Sequence, residues 1–221
     1  MRILPRHFGY NLFLMNNPPS DVQQTDAEYS ANRETVEKDF VAVKKNKLDY
    51  LALAIATCGV GYIRFAPGTW GSLVGVGLYL IWRLAGSGIW QIGLAHNWRA
   101  DQLEAWRVEI NILIVLLTSV TGIWAAGRAA RLLNKKDPQQ VVIDEVAGQF
   151  IALMFVPFNV AWWMILLGFI LFRFFDILKP YPIDGMQELP GGFGVVVDDL
   201  VAGIYAAIVL SVISAVQISF F

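Results

Sequence analysis

Residues 108–127 read VEINILIVLLTSVTGIWAAG, an apolar run about as long as a helix that crosses a bilayer. Other apolar stretches lie on both sides of it, at residues 48–63, 72–94, 143–156, 160–177 and 197–221. The chain is 56% hydrophobic and 16% charged, with a mean hydropathy of +0.52. A soluble domain has about a quarter of its residues charged. The pattern therefore predicts an all-α, polytopic membrane helical bundle.

Two of the apolar stretches are short. Residues 48–63 cannot span a bilayer and are predicted to be interfacial or re-entrant. Residues 143–156 span it only if their helix starts near Gln139, and otherwise form a tilted or partly buried helix. We expect a break in the 72–94 stretch near Gly86, and an amphipathic interfacial segment at 95–107.

The first 47 residues differ in composition from the rest. Residues 1–47 are polar and charged, and they predict a mobile extension, whereas residues 48–221 form the membrane-embedded domain. The formal net charge of the whole chain is −1, which argues against a nucleic-acid partner.

Basic residues are concentrated in alternate connections between the apolar stretches. Positive loops mark the cytoplasmic side of a membrane protein. An alternating arrangement of the stretches places one set of basic residues on that side: Arg64, Arg128, Arg131, Lys135, Lys136, Arg173 and Lys179. The same arrangement brings polar patches to this face at residues 64–72, 134–149, 173–184 and 191–203.

Carboxylates occur in three of these patches. Asp144 and Glu145 open one predicted helix, Asp176 lies late in another, and Asp198 and Asp199 open the last. Acids at one depth repel unless a cation joins them, and Mg²⁺ takes oxygen ligands. We therefore predict that these five residues form a magnesium-binding catalytic site.

Adjacent residues diverge by about 100° around a helix. One acid of each pair is therefore expected to ligate the metal, and the other to bind a base, cap the helix or orient water. Helix capping is the alternative role for any single acid.

The patch at 64–72 contains a candidate phosphate-binding segment. Pro67, Gly68, Thr69 and Ser72 lead into a helix, where free backbone N–H groups bind anions and Thr69 or Ser72 can cap. A plain turn with an N-cap explains the same residues.

Two cations flank Asp176 in the sequence. Arg173 and Asp176 are three residues apart and share a helical face, and Lys179 continues it. Arg173 and Lys179 are therefore candidate phosphate ligands. The alternative is that both side chains only extend from a membrane edge to water.

Cys58 and Arg64 have the C-x5-R spacing of cysteine-dependent phosphatases. The intervening loop is apolar, and only Arg64 is near enough to lower the pKa of the thiol. We therefore expect Cys58 to be a small buried hydrophobic residue. The two histidines, His7 and His96, lie outside the polar patches, which argues against a histidine nucleophile or a zinc site.

Taken together, the polar patches resemble the motifs of the phosphatidylglycerophosphatase A family. The matching blocks are GVGYIRFAPGTWGSL (59–73), KDPQQVVIDEVAGQFIAL (136–153), FRFFDILKPYPI (172–183) and GGFGVVVDDLVAG (191–203). The resemblance implies Mg²⁺-dependent hydrolysis of phosphatidylglycerophosphate to phosphatidylglycerol at the bacterial inner membrane, with the active site facing the cytoplasm. The polar positions that it carries over are Pro67, Gly68, Thr69, Ser72, Asp137, Asp144, Glu145, Arg173, Asp176, Lys179, Pro180, Asp198 and Asp199.

Several mechanisms and functions are compatible with such a site. A carboxylate that is not a metal ligand can activate water, or an aspartate can attack phosphorus and form an aspartyl-phosphate. A channel or carrier with a divalent-cation site also places acids in membrane helices. That alternative predicts acids at mid-helix, whereas these acids lie at helix ends.

Overall fold

The computed structural model describes residues 46–158 and 162–220, and all regular structure within them is helical. The predicted extension at 1–47 lies outside the described residues except for its last two positions. The described helices are α1 (Lys47–Thr57), α2 (Pro67–Ala95), α3 (Ala100–Leu132), α4 (Ile143–Ala152), α5 (Trp162–Leu178), α6 (Ile183–Met186) and α7 (Gly192–Phe220). A 3₁₀ turn at Val60–Tyr62 lies between α1 and α2.

Three helices are long and apolar enough to cross a membrane. They are α2 with 29 residues, α3 with 33 residues, and the 25 residues of α7 from Gly192 to Val216. Large apolar side chains such as Leu116, Leu117 and Val120 of α3 are exposed on the bundle surface. Contact of such side chains with lipid is favourable, whereas their exposure to water costs free energy. The prediction of an all-α membrane bundle is confirmed.

Helix α4 lies at the centre of this bundle. Its 10 residues extend over about 15 Å, which is half of a bilayer's hydrocarbon core. Every residue of α4 except Glu145 is buried, and the helix packs against α2, α3, α5 and α7. Of the two alternatives for residues 143–156, the partly buried helix is therefore the one that the structure supports.

Two glycines let α4 and α7 approach closely. A Cβ atom at Gly148 would lie 2.6 Å from the carbonyl oxygen of Asp199, and one at Gly203 would lie 3.1 Å from the carbonyl carbon of Gly148. Larger residues would force the two backbones apart. Asp144 and Asp199 each precede one of these glycines by about one helical turn. The crossing thus brings both acids to the same end of the helix pair.

Helix α1 is short, as predicted for residues 48–63. Asn46 caps its first turn by accepting a hydrogen bond from the backbone N–H of Asp49. The Asp49 carboxylate pairs with Arg128 at 2.6 Å, and the backbone N–H of Val142 donates to the carbonyl of Ala56 at 2.8 Å. These contacts fix α1 against α3 and against the start of α4.

Two predicted boundaries are wrong. Helix α2 runs without a break through Gly86. A Cβ at that position would overlap the Phe158 ring, so the glycine makes room for the ring and does not end the helix. The span predicted at 108–127 begins earlier, because α3 starts at Ala100 and includes most of the segment predicted at 95–107. Trp106 packs against Trp82 with ring centroids 6.2 Å apart, so it belongs to the bundle.

A buried arginine holds the chain that follows α4. Arg107 of α3 is only 2% exposed, and it forms an ion pair with Glu104. Its Nη1 donates to the carbonyls of Met154 and Val156, each at 3.1 Å. Asn111 also donates to the Met154 carbonyl, at 2.7 Å. These side chains satisfy carbonyl groups beyond the last turn of α4, where the helix offers no N–H partner.

Candidate active site

A cleft of about 390 Å³ opens where several helix ends meet. The first turns of α2 and α4, the first two turns of α7, and the last turn of α5 with the residue after it contribute to its walls. Because α7 begins at Gly192, Asp198 and Asp199 lie in its second turn and do not open the helix as predicted. Six acids and three cations line it, and they are Asp137, Asp144, Glu145, Asp176, Asp198, Asp199, Arg64, Arg173 and Lys179. All five acids that the sequence analysis predicted as catalytic therefore line one cleft.

Three of the acids form a tight group at the wall of the cleft. Asp144, Glu145 and Asp199 each place a carboxylate oxygen within 4.8 Å of the other two. Asp144 is 8% exposed and Asp199 is 4% exposed, while Glu145 is half-buried. Burial and then the neighbouring Glu145 carboxylate raise the pKa of Asp144 well above its usual value, and burial raises the pKa of Glu145. The three carboxyls together favour protonation unless a bound cation stabilises their ionised forms.

The donor set of this trio fits a hard divalent ion. All three ligand atoms are carboxylate oxygens, which Mg²⁺ and Ca²⁺ prefer. Within the described part of the chain, Oε2 of Glu145 is buried and has no hydrogen-bond partner. A buried unpaired carboxylate oxygen is costly unless a ligand satisfies it. These residues can therefore hold Mg²⁺.

The other two predicted metal ligands are each bonded to a cation. Oδ2 of Asp176 lies 2.6 Å from Nη1 of Arg173, and Oδ2 of Asp198 lies 2.6 Å from Nζ of Lys179. Asp198 is thus the member of the 198–199 pair that meets a basic partner, and Asp199 is the member that joins the trio. On the other pair, both Asp144 and Glu145 join the trio, although we expected only one of them to face the metal.

Asp198 is held at one oxygen and unbonded at the other. Its Oδ2 accepts hydrogen bonds from Lys179 and, at 3.0 Å, from Nε2 of Gln187. Its Oδ1 is buried and has no hydrogen-bond partner among the described residues. Partial burial alone would lower the pKa of Lys179, but the hydrogen bond and charge of Asp198 outweigh it and raise that pKa. Lys179 therefore stays protonated beside a fixed carboxylate.

The segment at 67–72 forms the first turns of a helix. Helix α2 begins at Pro67, after Ala66 in a left-handed conformation, and no side chain caps it. The predicted capping by Thr69 or Ser72 is therefore wrong: the Ser72 hydroxyl donates to the Gly68 carbonyl at 2.9 Å. Pro67 and Gly68 line the cleft, but Thr69 and Ser72 do not.

Gly68 is packed between two functional side chains. A Cβ at this position would overlap Oε1 of Glu145 and lie 3.1 Å from Nη1 of Arg173. That same Nη1 donates to the Ser72 hydroxyl at 3.4 Å, so Ser72 contacts the site through Arg173. The start of α2 therefore holds Arg173 against the acids.

Residues without a predicted role also line the cleft or bond to one of its acids. Asp137 lines it, and partial burial and then the charge of Asp198 raise the pKa of Asp137. Arg64 and Gln139 line it as well, and Gln187 bonds to Asp198. The signal for Asp137 and Arg64 was their place in polar patches, whereas nothing near Gln187 in the sequence pointed to the site.

Cys58 does not line the cleft, although Arg64 does. Its thiol donates to the Ile55 carbonyl at 3.3 Å. Burial, and then the charge of Glu145, raise the pKa of the thiol, so the unreactive protonated form is favoured. The C-x5-R spacing does not form a phosphate-binding loop here.

Comparisons with known proteins agree on one family. The sequence model of phosphatidylglycerophosphatase A matches residues 53–214. The Haemophilus influenzae phosphatidylglycerophosphatase A is 36% identical over 168 residues, which cover 76% of this chain and 90% of that protein. The Escherichia coli phosphatidylglycerophosphatase A is 31% identical over 153 residues, covering 69% and 76%.

A third relative has a different name. A Bacteroides thetaiotaomicron protein, provisionally named phosphatidylinositol-3-phosphatase, is 35% identical over 169 residues, covering 74% of this chain and 93% of that protein. No solved structure matches the chain.

Proposed function

Since this chain belongs to the phosphatidylglycerophosphatase A family and is a phosphatase, we propose that it hydrolyses phosphatidylglycerophosphate to phosphatidylglycerol and inorganic phosphate. One observation supports this most strongly. Three acids that can hold a divalent cation share a single cleft with three cations that can hold a phosphate. The cleft lies at the ends of membrane helices, where a lipid head group is available.

We propose Mg²⁺ as the cofactor, held by Asp144, Glu145 and Asp199. When bound, the ion neutralises phosphate oxygens and lowers the pKa of a coordinated water. Its removal should leave mutually repelling acids in the cleft and destabilise this end of the bundle.

Arg173 and Lys179 would bind the phosphate that is released. Each already has one carboxylate partner, which fixes the direction of its remaining N–H groups. Preorganised donors stabilise charge that develops on phosphate oxygens during transfer. Asp176 and Asp198 would then act by positioning these two cations.

Asp198 would also serve as the general base. Lys179 and Gln187 hold its Oδ2, which leaves the unbonded Oδ1 to accept a proton from the attacking water. Water oxygen forms the new bond to phosphorus, and the bond between phosphorus and the glycerol oxygen breaks. Asp198 returns the proton that it took from water to the leaving alkoxide, which gives the free hydroxyl of phosphatidylglycerol, and inorganic phosphate is released.

We propose that the cleft faces the cytoplasm of a bacterial inner membrane. Exposed basic residues near this end include Arg131, Lys135 and Lys136, while Arg99 at the opposite end pairs with Asp101. Positive charge is concentrated on the cytoplasmic side of membrane proteins. This orientation is tested in a Cys58→Ser background by adding a membrane-impermeant maleimide to intact cells. The cysteine of Lys135→Cys should not be labelled, whereas that of Asn97→Cys should be.

The central experiment measures phosphate release from phosphatidylglycerophosphate in detergent micelles by purified full-length protein. Release is expected with Mg²⁺, loss of release with EDTA, and recovery when Mg²⁺ is restored. Absence of release with Mg²⁺ present would refute the proposed reaction. Full activity in EDTA would instead refute the cofactor.

A second substrate deserves the same assay because of the Bacteroides relative. Phosphatidylinositol 3-phosphate also carries a phosphomonoester on a polyol that a phosphodiester joins to the lipid. Rates on the two lipids at equal mole fraction in the micelle would decide between them. A kcat/KM at least tenfold higher for phosphatidylglycerophosphate is expected, and the reverse ratio would reassign the substrate.

A further inference from the structure

Arg64 differs from the other two cations that line the cleft. Arg173 and Lys179 each lie 2.6 Å from a carboxylate, so a built ion pair already neutralises each charge. Arg64 lines the same cleft, is exposed, and makes no ion pair within the described ranges 46–158 and 162–220. A guanidinium without an acid partner in this cleft is available to a ligand.

The surroundings of Arg64 indicate which part of the substrate it would contact. Its neighbours Tyr62 and Phe65 are 60% and 82% exposed, so this rim presents large apolar side chains. The acid trio lies in the buried part of the cleft, where Asp199 is 4% exposed. Aromatic side chains favour the head-group layer of a membrane. Exposure therefore decreases from the aromatic residues and Arg64 to the acids of the trio.

The order of groups in the proposed substrate class matches this arrangement. Acyl chains are followed by a phosphodiester, then a polyol, then the terminal phosphomonoester. The monoester must reach the buried acids, which leaves the diester nearer the rim.

We propose that Arg64 binds the phosphodiester of the lipid substrate and so selects lipids whose reacting phosphate lies one polyol further on. This rests on the proposed function, because it assumes a lipid that carries both phosphates. Guanidinium groups bind two phosphate oxygens at once, which a lysine cannot do with equal geometry. The diester oxygens keep their single charge at any neutral pH, so the contact does not depend on protonation.

The test uses short-chain lipids that carry only one of the two phosphates. Dihexanoyl phosphatidylglycerol has the diester alone, and dihexanoyl phosphatidic acid has the monoester alone. Binding of each to the full chain in detergent is measured by titration in the presence of Mg²⁺. Arg64→Gln should raise the Kd for phosphatidylglycerol about tenfold and that for phosphatidic acid less than about twofold, since a charge-assisted contact to one phosphate is lost.

Two further variants complete this design. Arg64→Lys keeps the charge and should recover part of the lost affinity for the diester lipid. Arg131→Gln removes an exposed positive charge that does not line the cleft, and should change neither Kd. A matching loss in Arg131→Gln would show that bulk charge, and not a contact of Arg64, attracts the lipid, and would overturn the proposal.

The remaining outcomes separate this proposal from the proposed function. If Arg64→Gln raised the Kd of both lipids equally, Arg64 would lie at the reacting phosphate. If it raised neither Kd, Arg64 would have no lipid ligand. Either result overturns the proposal. Turnover of phosphatidylglycerophosphate by the unaltered protein is measured in parallel. If Arg64→Gln selectively weakens binding of the diester lipid but the unaltered protein shows no turnover, the Arg64 contact is supported and the proposed reaction is refuted. If the unaltered protein turns over the substrate but Arg64→Gln does not weaken diester binding, the reaction is supported and the Arg64 contact is refuted.

Discussion

The two ends of the helical bundle both bury charged side chains, but they satisfy them differently. Arg107 is 2% exposed, pairs with Glu104, and donates to two backbone carbonyls. At the cleft, Asp144 and Asp199 are similarly buried, yet their nearest charged neighbours include other acids. A buried charge whose partners are complete is tolerated without a ligand, whereas a group of like charges with unbonded oxygens needs one.

Helix α4 connects these two environments. Its first turn carries Asp144 and Glu145 into the cleft, and the carbonyls of Met154 and Val156 just beyond its last turn accept from Arg107. The helix is 10 residues long, and the groups that satisfy its two ends are different: acids at the cleft, a complete ion pair at the other end. Substitutions at the cleft should therefore reduce activity without reducing stability, and substitutions at Arg107 should do the reverse.

The largest effect on activity is expected from Asp199→Asn. This variant removes one charge from the acid trio while keeping the shape of the side chain. We expect kcat to fall about a thousandfold or more, because the divalent-cation site loses an anionic ligand. The melting temperature in EDTA should not fall, since repulsion among the acids is relieved. Phosphate release and a thermal melt of the same preparation measure both.

The matched control is Asp184→Asn, which removes an exposed acid of α6 that does not line the cleft. It should keep kcat within about twofold. A thousandfold loss in this control, or near-full activity in Asp199→Asn, would contradict the assignment of the trio.

The largest effect on stability is expected from Arg107→Met. Methionine fills much of the same volume but leaves Glu104 unpaired and removes the charged donor of two carbonyls, which keep one bond each, from Asn111 and Tyr79. Breaking a buried ion pair costs about 3–5 kcal/mol, and here the cost should lie near the lower value because Glu104 is partly exposed. Denaturation in detergent measures it, while kcat per folded molecule should change by less than about threefold.

The comparison variant at this end of the bundle is Arg99→Gln. Its ion pair with Asp101 is solvent-exposed at both side chains. Exposed pairs contribute about 0–1 kcal/mol, so the loss should be small. A kcat collapse in folded Arg107→Met would mean that the two ends of α4 are not separable.

A smaller effect on activity is expected from Gly68→Ala. The added methyl group would overlap Oε1 of Glu145 and crowd the Arg173 guanidinium. Displacement of these groups should lower kcat/KM about tenfold to a hundredfold, since small misplacements of catalytic groups cost that much. Gly77→Ala is the control, because a Cβ there meets nothing within 4 Å. Equal rates in the two variants would remove the start of α2 from the site.

The sequence predicted the cleft better than it predicted the helices around it. Asp144, Asp176 and Asp199 were placed together because they lie at helix ends that an alternating topology brings to one face. That inference needs only helix direction, which apolar length and basic connections supply. Whether an acid forms an ion pair or joins the trio depends on how its helix is rotated and where it crosses its neighbours. No local sequence pattern indicates either property.

The errors arose where tertiary packing overrides a local signal. A helix break was predicted near Gly86, but this glycine accommodates the Phe158 ring within a continuous helix. Residues 143–156 read as a candidate span because buried and lipid-facing helices are both apolar. The close approach at Gly148 and Gly203 shows that α4 is buried in protein, and that contact joins residues far apart in the chain.

The smallest effect is expected from Cys58→Ser, and it tests the one competing nucleophile. The thiol is hydrogen-bonded to Ile55 and does not line the cleft, while burial raises its pKa. Serine can donate the same hydrogen bond, so kcat and kcat/KM should stay within about twofold of the unaltered protein. An attacking cysteine would instead make the variant inactive, and iodoacetamide would inactivate the unaltered protein at a rate that rises with pH. If both occurred, the acid trio would become a binding site for a cation beside a thiol-dependent reaction, and Asp199→Asn should then retain much of its rate.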